Sequence, residues 1–407
     1  MNKIIMEKKV LFYLFFVIGL VSCTEKKDLS EKKDFISIDF ESSLVSELKF
    51  SQFVDTIEFI PLETTNENLI GEVNRIIYDD EKYYIRATRG MLNSNLFVFD
   101  KTGKYLWGLN KRGYGPGEYN DFKDFLLTKD RINVVSYFKF ISYDKKGSFK
   151  EEYKLEQHVK EFLNIDDTTF LAFTIRSRIN NLMFFYIMND EGKVENRFFK
   201  RKESEARAND YRINWRGIVS WGDSYYMNYP YTDTIFKVRQ EEVSPYYYVD
   251  YGNKKIPSDL FKPSDEPKII EKKFSSLTDY FYINSFGLAD HYVYVGSTNK
   301  VFLNFLTLYS RKTGRTFSSH RLVDDMYLKG NILPLTAKVI PHNSDNGDIL
   351  WEVEPNYLID GYRKYMSNLS EPRRAEFKEK YPDLVRICTS LKEDDNPVLL
   401  RIKVKEF

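Results

Sequence analysis

A short turn sequence recurs along the chain at nearly constant spacing. Phe99-Asp100-Lys101-Thr102-Gly103 reappears around Asp144 and Gly147, and more loosely around Gly192, so that successive glycines lie 44 and 45 residues apart. Asp or Asn accepts hydrogen bonds from backbone amides two residues further on, and Gly takes the positive φ of a tight hairpin. A fixed period in this range is typical of an all-β fold, the β-propeller, whose blades are four-stranded sheets.

Short aromatic and β-branched runs between turn residues predict strands for six such blades, which begin near residues 72, 122, 161, 217, 280 and 338. The sixth blade starts at Lys338–Pro341 and lacks one strand. We predict that Thr56–Leu62 supplies it beside Val398–Val404, because closure by both chain ends removes an open sheet edge. A seventh blade is the alternative, with degenerate strands in Gly252–Leu277.

Two segments interrupt the repeat. Pro257–Lys273 is rich in Lys, Pro, Asp and Ser and predicts an exposed excursion. Tyr357–Leu384 predicts a small helical insertion in the last blade, with Ser370 as the N-cap of a helix that Pro382 stops. This insertion either packs on the rim of the blade or serves as a lid or docking element.

The N-terminus predicts export. Lys8 and Lys9 precede an apolar run, Val10–Val21, that is too short to span a bilayer but suits a secretory signal. Leu20-Val21-Ser22-Cys23 resembles the lipobox of bacterial lipoproteins, which implies cleavage before Cys23 and lipidation of its thiol. We therefore predict a signal peptide at 1–22, a polar tether at 23–34 and the propeller at 35–407. An ordinary signal peptide with a coincidental cysteine is the alternative.

Charge and cysteine content narrow the function classes. The 61 Lys and Arg residues balance the 60 Asp and Glu residues, so no nucleic-acid partner is predicted. If Cys23 carries lipid, Cys388 has no disulfide partner, and we expect it to be a buried structural thiol.

Several motifs follow one another in a fixed order. They are Pro61-Leu62-Glu63-Thr64-Thr65, Leu69-Ile70-Gly71, the Phe-Asp-x-x-Gly turn, Gly113-Tyr114-Gly115-Pro116-Gly117-Glu118-Tyr119, Thr232-Asp233-Thr234-Ile235-Phe236 and Asp395-Asn396-Pro397-Val398-Leu399. Together they resemble a family of bacterial six-bladed β-propeller lipoproteins, distantly similar to NHL-type propellers. The resemblance implies the fold and an envelope location, which we expect to be the outer membrane facing the periplasm. It implies no catalytic residues.

A ligand is expected on one face of the ring. This face carries the connections between second and third strands and the connections between blades. The Gly113–Tyr119 loop lies there, and its glycines would let backbone amides approach a ligand. Arginine pairs with planar anions and tyrosine offers a stacking face, so the loop residues predict an anionic or carbohydrate ligand. The candidate ligand-binding residues are Arg89, Arg112, Tyr114, Glu118, Arg176, Arg178, Arg212, Tyr229 and Tyr231. A purely conformational glycine loop and solvated loop charges are the alternative.

The repeated turns are expected on the opposite face with a structural role, through Asp100, Gly103, Asp144, Gly147 and Gly192. Glu72, Asn164 and Asn284 fall roughly where propeller lactonases hold a metal ion, but the four histidines have no zinc-ligand spacing. We predict no metal and no cofactor.

These patterns favour an envelope-anchored protein that binds a ligand, a glycan or a protein partner. The alternatives are a hydrolase or lyase acting on a carbohydrate-like substrate, and a scaffold that docks an envelope protein through the helical insertion.

Overall fold

The structure is a computed structural model that describes residues 35–407 except 90–92, 137–138, 175–182, 201–216, 230, 240–241, 258–259, 261, 263–264, 266, 300, 302, 331–341 and 344–346. The predicted signal peptide, Cys23 and the tether therefore lie outside the described residues, as does the predicted strand Lys338–Pro341. Phe35–Phe407 forms one compact unit.

The described chain forms short strands that assemble into six blades. The N-terminal part contributes β1 (Ile36–Asp39), β2 (Leu48–Lys49), the helix α1 (Phe50–Phe53) and β3 (Val54–Pro61). The first three blades are β4 (Glu72–Asp79), β5 (Lys82–Arg89), β6 (Asn93–Asp100) and β7 (Tyr105–Leu109); β8 (Phe122–Leu127), β9 (Arg131–Ser136), β10 (Lys139–Asp144) and β11 (Phe149–Lys154); and β12 (Glu161–Asn164), β13 (Thr169–Phe173), β14 (Met183–Asn189) and β15 (Val194–Lys200).

The second half of the ring repeats this order. Blade four is β16 (Ile218–Trp221), β17 (Ser224–Met227), β18 (Thr234–Arg239) and β19 (Glu242–Asp250), and blade five is β20 (Tyr282–Leu288), β21 (Tyr292–Thr298), β22 (Asn304–Ser310) and β23 (Thr316–Ser319). A short strand, β24 (Leu322–Val323), follows blade five. Blade six is β25 (His342–Asn343), β26 (Ile349–Val353), β27 (Val398–Val404) and β3. The prediction of six blades is confirmed, and the described part of Gly252–Leu277 contains helical turns instead of a seventh blade.

The blades pack face to face around a central channel. Middle strands such as β9 and β21 are almost wholly buried because each blade packs against a neighbour on both faces. A hydrophobic cluster fills each junction: Phe125 and Val134 pack with Val98 between blades one and two, for example, and Leu399 packs with Ile85 between blades six and one.

The ring closes as predicted, because β3 is the outer strand of blade six. It pairs antiparallel with β27, with Pro61 opposite Val398 and Val54 opposite Val404. Upstream of β3, the chain runs along the outer edges of blades four and five, which the sequence did not predict. There β1 pairs parallel with β19, Leu44 bridges to Ser318, and β2 pairs parallel with β24.

Alternating strand direction defines two faces of the ring. Connections between first and second strands and between third and fourth strands lie on one face, here called the turn face. Connections between second and third strands and between blades lie on the opposite, loop face. The helix α2 (Pro267–Ser275) lies in the connection between blades four and five, where a polar excursion was predicted.

The helical insertion lies between β26 and β27, on the loop face. It contains α3 (Pro355–Ser367), α4 (Glu371–Lys380) and α5 (Pro382–Ser390), so it is longer than predicted. The helix α4 ends before Pro382 as predicted, and Pro382 then begins α5, because a proline fits the first turn of a helix, where its missing N–H is not needed. Leu358, Phe377 and Ile387 join the hydrophobic cluster of blades five and six, which fits the rim-packing alternative. Among the helices described, none has the length and apolar character required to cross a membrane.

Candidate ligand-binding site

A cavity of about 1240 Å³ occupies the central channel at the turn face. It is larger than the roughly 300–1,000 Å³ of most small-molecule sites. The C-terminal parts of the inner strands β4, β8, β12, β16 and β20 line it together with several of the turns that follow them. Of the nine candidate ligand-binding residues, none that the structure describes lines this cavity, because their loops belong to the opposite face.

Among the described residues, charged side chains of both signs line the cavity in equal number. They are Arg75, Lys82, Lys129 and Lys145, and Asp79, Asp80, Asp167 and Asp290. On the wall, the Lys82 ammonium lies 2.6 Å from the Asp80 carboxylate, and Lys145 lies 2.9 Å from Asp79. The wall charges are therefore largely compensated within the protein.

A buried ion pair lies at the floor of the cavity. Arg75 on β4 donates from Nη1 to Oδ2 of Asp124 on β8 at 2.5 Å, and the two side chains are only 11% and 5% exposed. Asp124 Oδ2 also accepts from the backbone N–H of Phe162 at 3.2 Å, so that one carboxylate joins blades one, two and three. Burial also lowers the pKa of the neighbouring Arg86 and Lys160.

Two buried polar atoms next to the cavity have no hydrogen-bond partner among the described residues. They are Nε of Arg75, a donor, and Oδ1 of Asn164, an acceptor. The amide nitrogen of Asn164 donates to the Leu127 carbonyl at 2.7 Å, so the side chain is held in place while its oxygen stays unsatisfied. An unsatisfied buried polar group costs about 1–3 kcal/mol. Neither atom is reached by water in this structure, so a molecule in the cavity would contact them only after the side chains shift.

Aromatic side chains stand at the ends of two inner strands. Trp221 ends the described β16, lines the cavity and is partly buried. Tyr78 on β4 is engaged by its own neighbours, with the Tyr83 ring centroid at 4.7 Å and the Arg401 guanidinium 4.8 Å from its ring. Trp221 also packs against the hydrophobic clusters on both sides of blade five, so only the exposed part of its side chain is open to a ligand.

The Gly113–Tyr119 loop on the loop face is held by its own surroundings. Glu118 Oε2 accepts from the Gly115 N–H at 2.9 Å, and Glu152 Oε2 accepts from the Gly117 N–H at 2.8 Å. Gly117 has a φ of +69°. Tyr114 is 85% exposed at the tip of this loop. The Glu118 carboxylate and the Gly115 and Gly117 amides are thus engaged inside the protein, whereas the Tyr114 side chain projects into solvent.

The remaining candidates are dispersed. The backbone of Arg89 pairs with Asn93 at the end of β5, and Arg112 forms a bridge with Tyr119. Tyr229 stacks on Phe236 with ring centroids 5.5 Å apart. Tyr231 is buried with a φ of +66°, packs edge-on against Tyr282, and has a raised pKa because of its burial. Arg176, Arg178 and Arg212 lie outside the described residues.

The repeated turns on the turn face share one geometry. Asp100 Oδ1 accepts from the backbone N–H groups of Thr102 and Lys104, and Asp144 Oδ1 accepts in the same way from Lys146 and Ser148. The glycines of the three turns, Gly103, Gly147 and Gly192, have φ values of +88°, +81° and +75°. Each glycine also faces the preceding blade: a Cβ on Gly103 would lie 2.2 Å from the Pro61 carbonyl oxygen, and one on Gly147 would lie 2.8 Å from the Trp107 ring.

The described residues contain no group of three or more His, Cys, Asp or Glu that could hold a metal ion. Two described carboxyls have a raised pKa, and neither lines the cavity. Burial raises the pKa of Glu352 on β26 to about 8, with a smaller contribution from Glu354 and Glu72. Burial also raises the pKa of Asp324. The hydrogen bonds that its carboxylate accepts from the backbone N–H groups of Met326, Tyr327 and Leu328 act in the opposite direction.

Sequence reasoning placed the ligand on the loop face and singled out only Asn164 among the cavity-lining residues, at a position similar to the metal site of propeller lactonases. A signal was present: an aspartate ends or closely follows each of the first five inner strands, at Asp79, Asp130, Asp167, Asp223 and Asp290. Of these, Asp79, Asp167 and Asp290 line the cavity. Aspartate is also favoured in tight turns for conformational reasons, which made this signal easy to assign to structure alone.

The fold and its channel define the protein as a six-bladed β-propeller in which strand β3, from the N-terminal part of the chain, completes the last blade. The chain belongs to the family described as a domain of unknown function (DUF4934), whose sequence model matches residues 35–403. No curated protein gives a significant match.

Solved structures of other proteins are similar to this chain to different degrees. A candidate exported protein of Bacteroides fragilis is 17% identical with a TM-score of 0.68, and the match covers 91% of this chain and 99% of that one. The Pan2 WD40 domain of Neurospora crassa is 8% identical with a TM-score of 0.37, over 69% and 75% of the two chains. The extracellular domain of a candidate hybrid two-component system of B. thetaiotaomicron is 13% identical with a TM-score of 0.38, over 74% of this chain and 33% of that chain. At these identities, the likeness of the B. fragilis protein concerns the fold alone.

Proposed function

We propose that this protein is an exported, lipid-anchored β-propeller that binds a ligand in the cavity of its central channel. The observation that carries the proposal is the cavity itself, with two unsatisfied buried polar atoms beside it. A propeller ring is a rigid frame, so a site built on its inner strands is preorganised and loses little conformational entropy on binding. Within this proposal, the loop-face residues predicted from the sequence are not the primary site.

The anchor is supported by the sequence alone. The basic Lys8 and Lys9, the short apolar run and Leu20-Val21-Ser22-Cys23 have the order of a lipoprotein signal. The B. fragilis protein of the same fold is itself described as a candidate exported protein. We keep the outer membrane, with the propeller in the periplasm, as the proposed location.

Ligand binding in the cavity is tested by filling it. Ser220 is exposed, lines the cavity and lies next to Trp221, so Ser220→Trp obstructs the channel without removing core packing. Native mass spectrometry compares residues 35–407 of the natural protein and of this variant after incubation with the small-molecule fraction of a bacterial envelope extract. We expect a mass adduct on the natural protein that is lost in Ser220→Trp.

The matched control is Ser367→Trp, which places the same indole on an exposed residue at the end of α3, on the loop face. This variant should keep the adduct. An adduct that survives Ser220→Trp, or the absence of any adduct, would contradict binding in the cavity.

The anchor has a separate test in a bacterial host that processes lipoproteins. The natural chain should be labelled by radioactive palmitate and sediment with membranes. Cys23→Ala should lose the label and appear in the soluble envelope fraction, and Cys388→Ala should behave as the natural chain does.

A further inference from the structure

We infer that the ligand of the channel cavity is an uncharged, hydroxyl-rich molecule, the end of a neutral oligosaccharide, and not the anion that the arginine-rich loops suggested. The inference rests on the proposed function, in which this cavity binds a ligand. It follows from the charges, the unsatisfied polar atoms and the shape of the cavity.

The charges that the described residues place on the cavity surface balance one another. Four basic and four acidic side chains of these residues line it. Two lysines are paired with aspartates on the wall, and the floor arginine is paired with Asp124. Lys129, Asp167 and Asp290 are exposed at the rim, where water and salt screen their fields. An anion entering this site would lose its hydration, and the described cations that line the cavity are either paired with aspartates or screened at the rim.

The unsatisfied atoms match the chemistry of a hydroxyl group. Arg75 Nε can only donate a hydrogen bond, and Asn164 Oδ1 can only accept one. A hydroxyl can do both, but each atom is closed off from water in this structure, so the side chains of Arg75 and Asn164 must shift before hydroxyl groups of a ligand reach them. A carboxylate or phosphate offers only acceptors and would face the Asn164 oxygen without a proton between them.

The shape and the aromatic surface favour a sugar over a smaller alcohol. A volume of about 1240 Å³ leaves room for more than one sugar ring. Trp221 provides an apolar ring with a polar edge at the end of β16, and the apolar face of a sugar ring packs against such a surface.

The inference is tested by isothermal titration calorimetry on residues 35–407 with defined probes. The neutral probes are maltohexaose, xylohexaose and mannohexaose, and the acidic probe is an oligogalacturonate of the same length. We expect at least one neutral probe to bind with an affinity that changes less than about twofold between about 50 and about 500 mM salt. The acidic probe should bind at least about tenfold more weakly than that neutral probe.

Three variants locate the binding. Trp221→Ala and Asn164→Ala should each lower the affinity for the neutral probe by about tenfold. Because either could perturb packing, Ser220→Trp provides an independent steric block at an exposed position, with circular dichroism as the folding control. Tyr114→Ala removes an exposed aromatic side chain on the loop face and should leave the affinity unchanged.

The outcomes separate this inference from the proposed function. Preferential binding of the acidic probe that Ser220→Trp abolishes would overturn the inference but leave ligand binding in the cavity intact. Binding that Tyr114→Ala removes and Ser220→Trp does not would contradict both. If no neutral probe binds while the envelope extract still gives a cavity-dependent adduct, the inference is wrong and the proposed function stands.

Discussion

At the scale of single residues, the glycine of the repeated turn is constrained twice. Gly103 adopts a φ of +88°, which any L-residue adopts at a cost. Its missing side chain also lets the turn approach the preceding blade. A Cβ atom on Gly103 would lie only 2.2 Å from the Pro61 carbonyl oxygen, which is a steric clash. The turn is also tied to the preceding blade, because the Gly103 carbonyl accepts a hydrogen bond from the Glu63 N–H at 2.8 Å.

We predict that Gly103→Ala lowers the free energy of unfolding by about 3 kcal/mol, through backbone strain and overpacking against Pro61. The matched control is Gly314→Ala, which has a φ of +74° but nothing within 4 Å of the added Cβ. It should cost only about 1 kcal/mol. Urea denaturation of both variants measures the difference, and equal losses would show that packing against blade six contributes nothing.

Glu352 is a second residue whose surroundings matter, because burial changes the pKa of its carboxyl. Its Oε2 atom is buried without a hydrogen-bond partner among the described residues, and burial raises its pKa from 4.5 to about 8. Between these two values the folded protein holds a proton that the unfolded chain has released. Stability from this group is therefore greatest at low pH and is lost as pH rises through this window.

We predict that Glu352→Gln removes this pH dependence. The Tm of the natural protein should fall relative to that of the variant between about pH 4.5 and about pH 8, and the difference should then stay constant. Differential scanning calorimetry across this range measures it. Glu393→Gln alters an exposed carboxyl in the same half of the chain and should follow the natural protein. A constant difference between Glu352→Gln and the natural protein at all pH values would refute the assignment.

At the scale of elements, the closure of the ring depends on contacts between two motifs far apart in sequence. Asn396, which precedes β27, donates from Nδ2 to the carbonyls of Glu63 and Asn68 at 2.9 and 3.0 Å. Its Oδ1 accepts from the Ile70 N–H at 2.8 Å. The Pro61–Thr65 and Asp395–Leu399 motifs therefore lie together, and one buried asparagine joins the end of β3 to the start of β27.

We predict that Asn396→Ala costs about 3 kcal/mol of unfolding free energy, because it leaves several buried backbone groups without partners. Asn66→Ala changes an exposed asparagine in the loop that Asn396 contacts and should stay within about 0.5 kcal/mol of the natural protein. Guanidinium denaturation of the pair measures this. A similar small effect in both would mean that ring closure does not depend on this side chain.

At the scale of the whole molecule, each blade is stabilised by its two neighbours. Hydrophobic clusters fill the junctions, and the cluster between blades six and one includes Ile60 of β3 and Leu399 of β27. The segment before β3 adds Phe40 to the cluster of blades four and five, and Leu48 and Phe53 to that of blades five and six. The ring should therefore unfold as one cooperative unit.

We predict that a protein beginning at Leu62, which lacks β3 and the segment before it, loses cooperative unfolding and aggregates. Removal of β3 exposes the edge of β27 and the apolar side chains that packed against it. The protein beginning at Phe35 is the control and should unfold in one sharp transition. Calorimetry and light scattering compare the two, and a soluble, cooperative Leu62 variant would show that the ring does not need its closing strand.

Much of this architecture could be predicted from local sequence. The strands of blades one to four, the turns at Asp100 and Asp144 and the closing strand followed from alternation, spacing and turn chemistry, which act over a few residues. The parallel pairing of β1 with β19 could not be predicted, because a four-residue strand carries no mark of its distant partner. The third helix was also missed, since Pro382 serves equally well as a helix stop and as a first-turn residue.

The sequence by itself determined the repeat, the number of blades and their closure, because strand periodicity and turn residues are local properties. Tertiary structure decided where a ligand could bind. The cavity is lined by Arg75, Asn164 and Trp221 on three different blades, and of these the sequence singled out only Asn164. Their significance depends on burial and on which partners each polar atom has, and both arise only when the blades pack around a common axis.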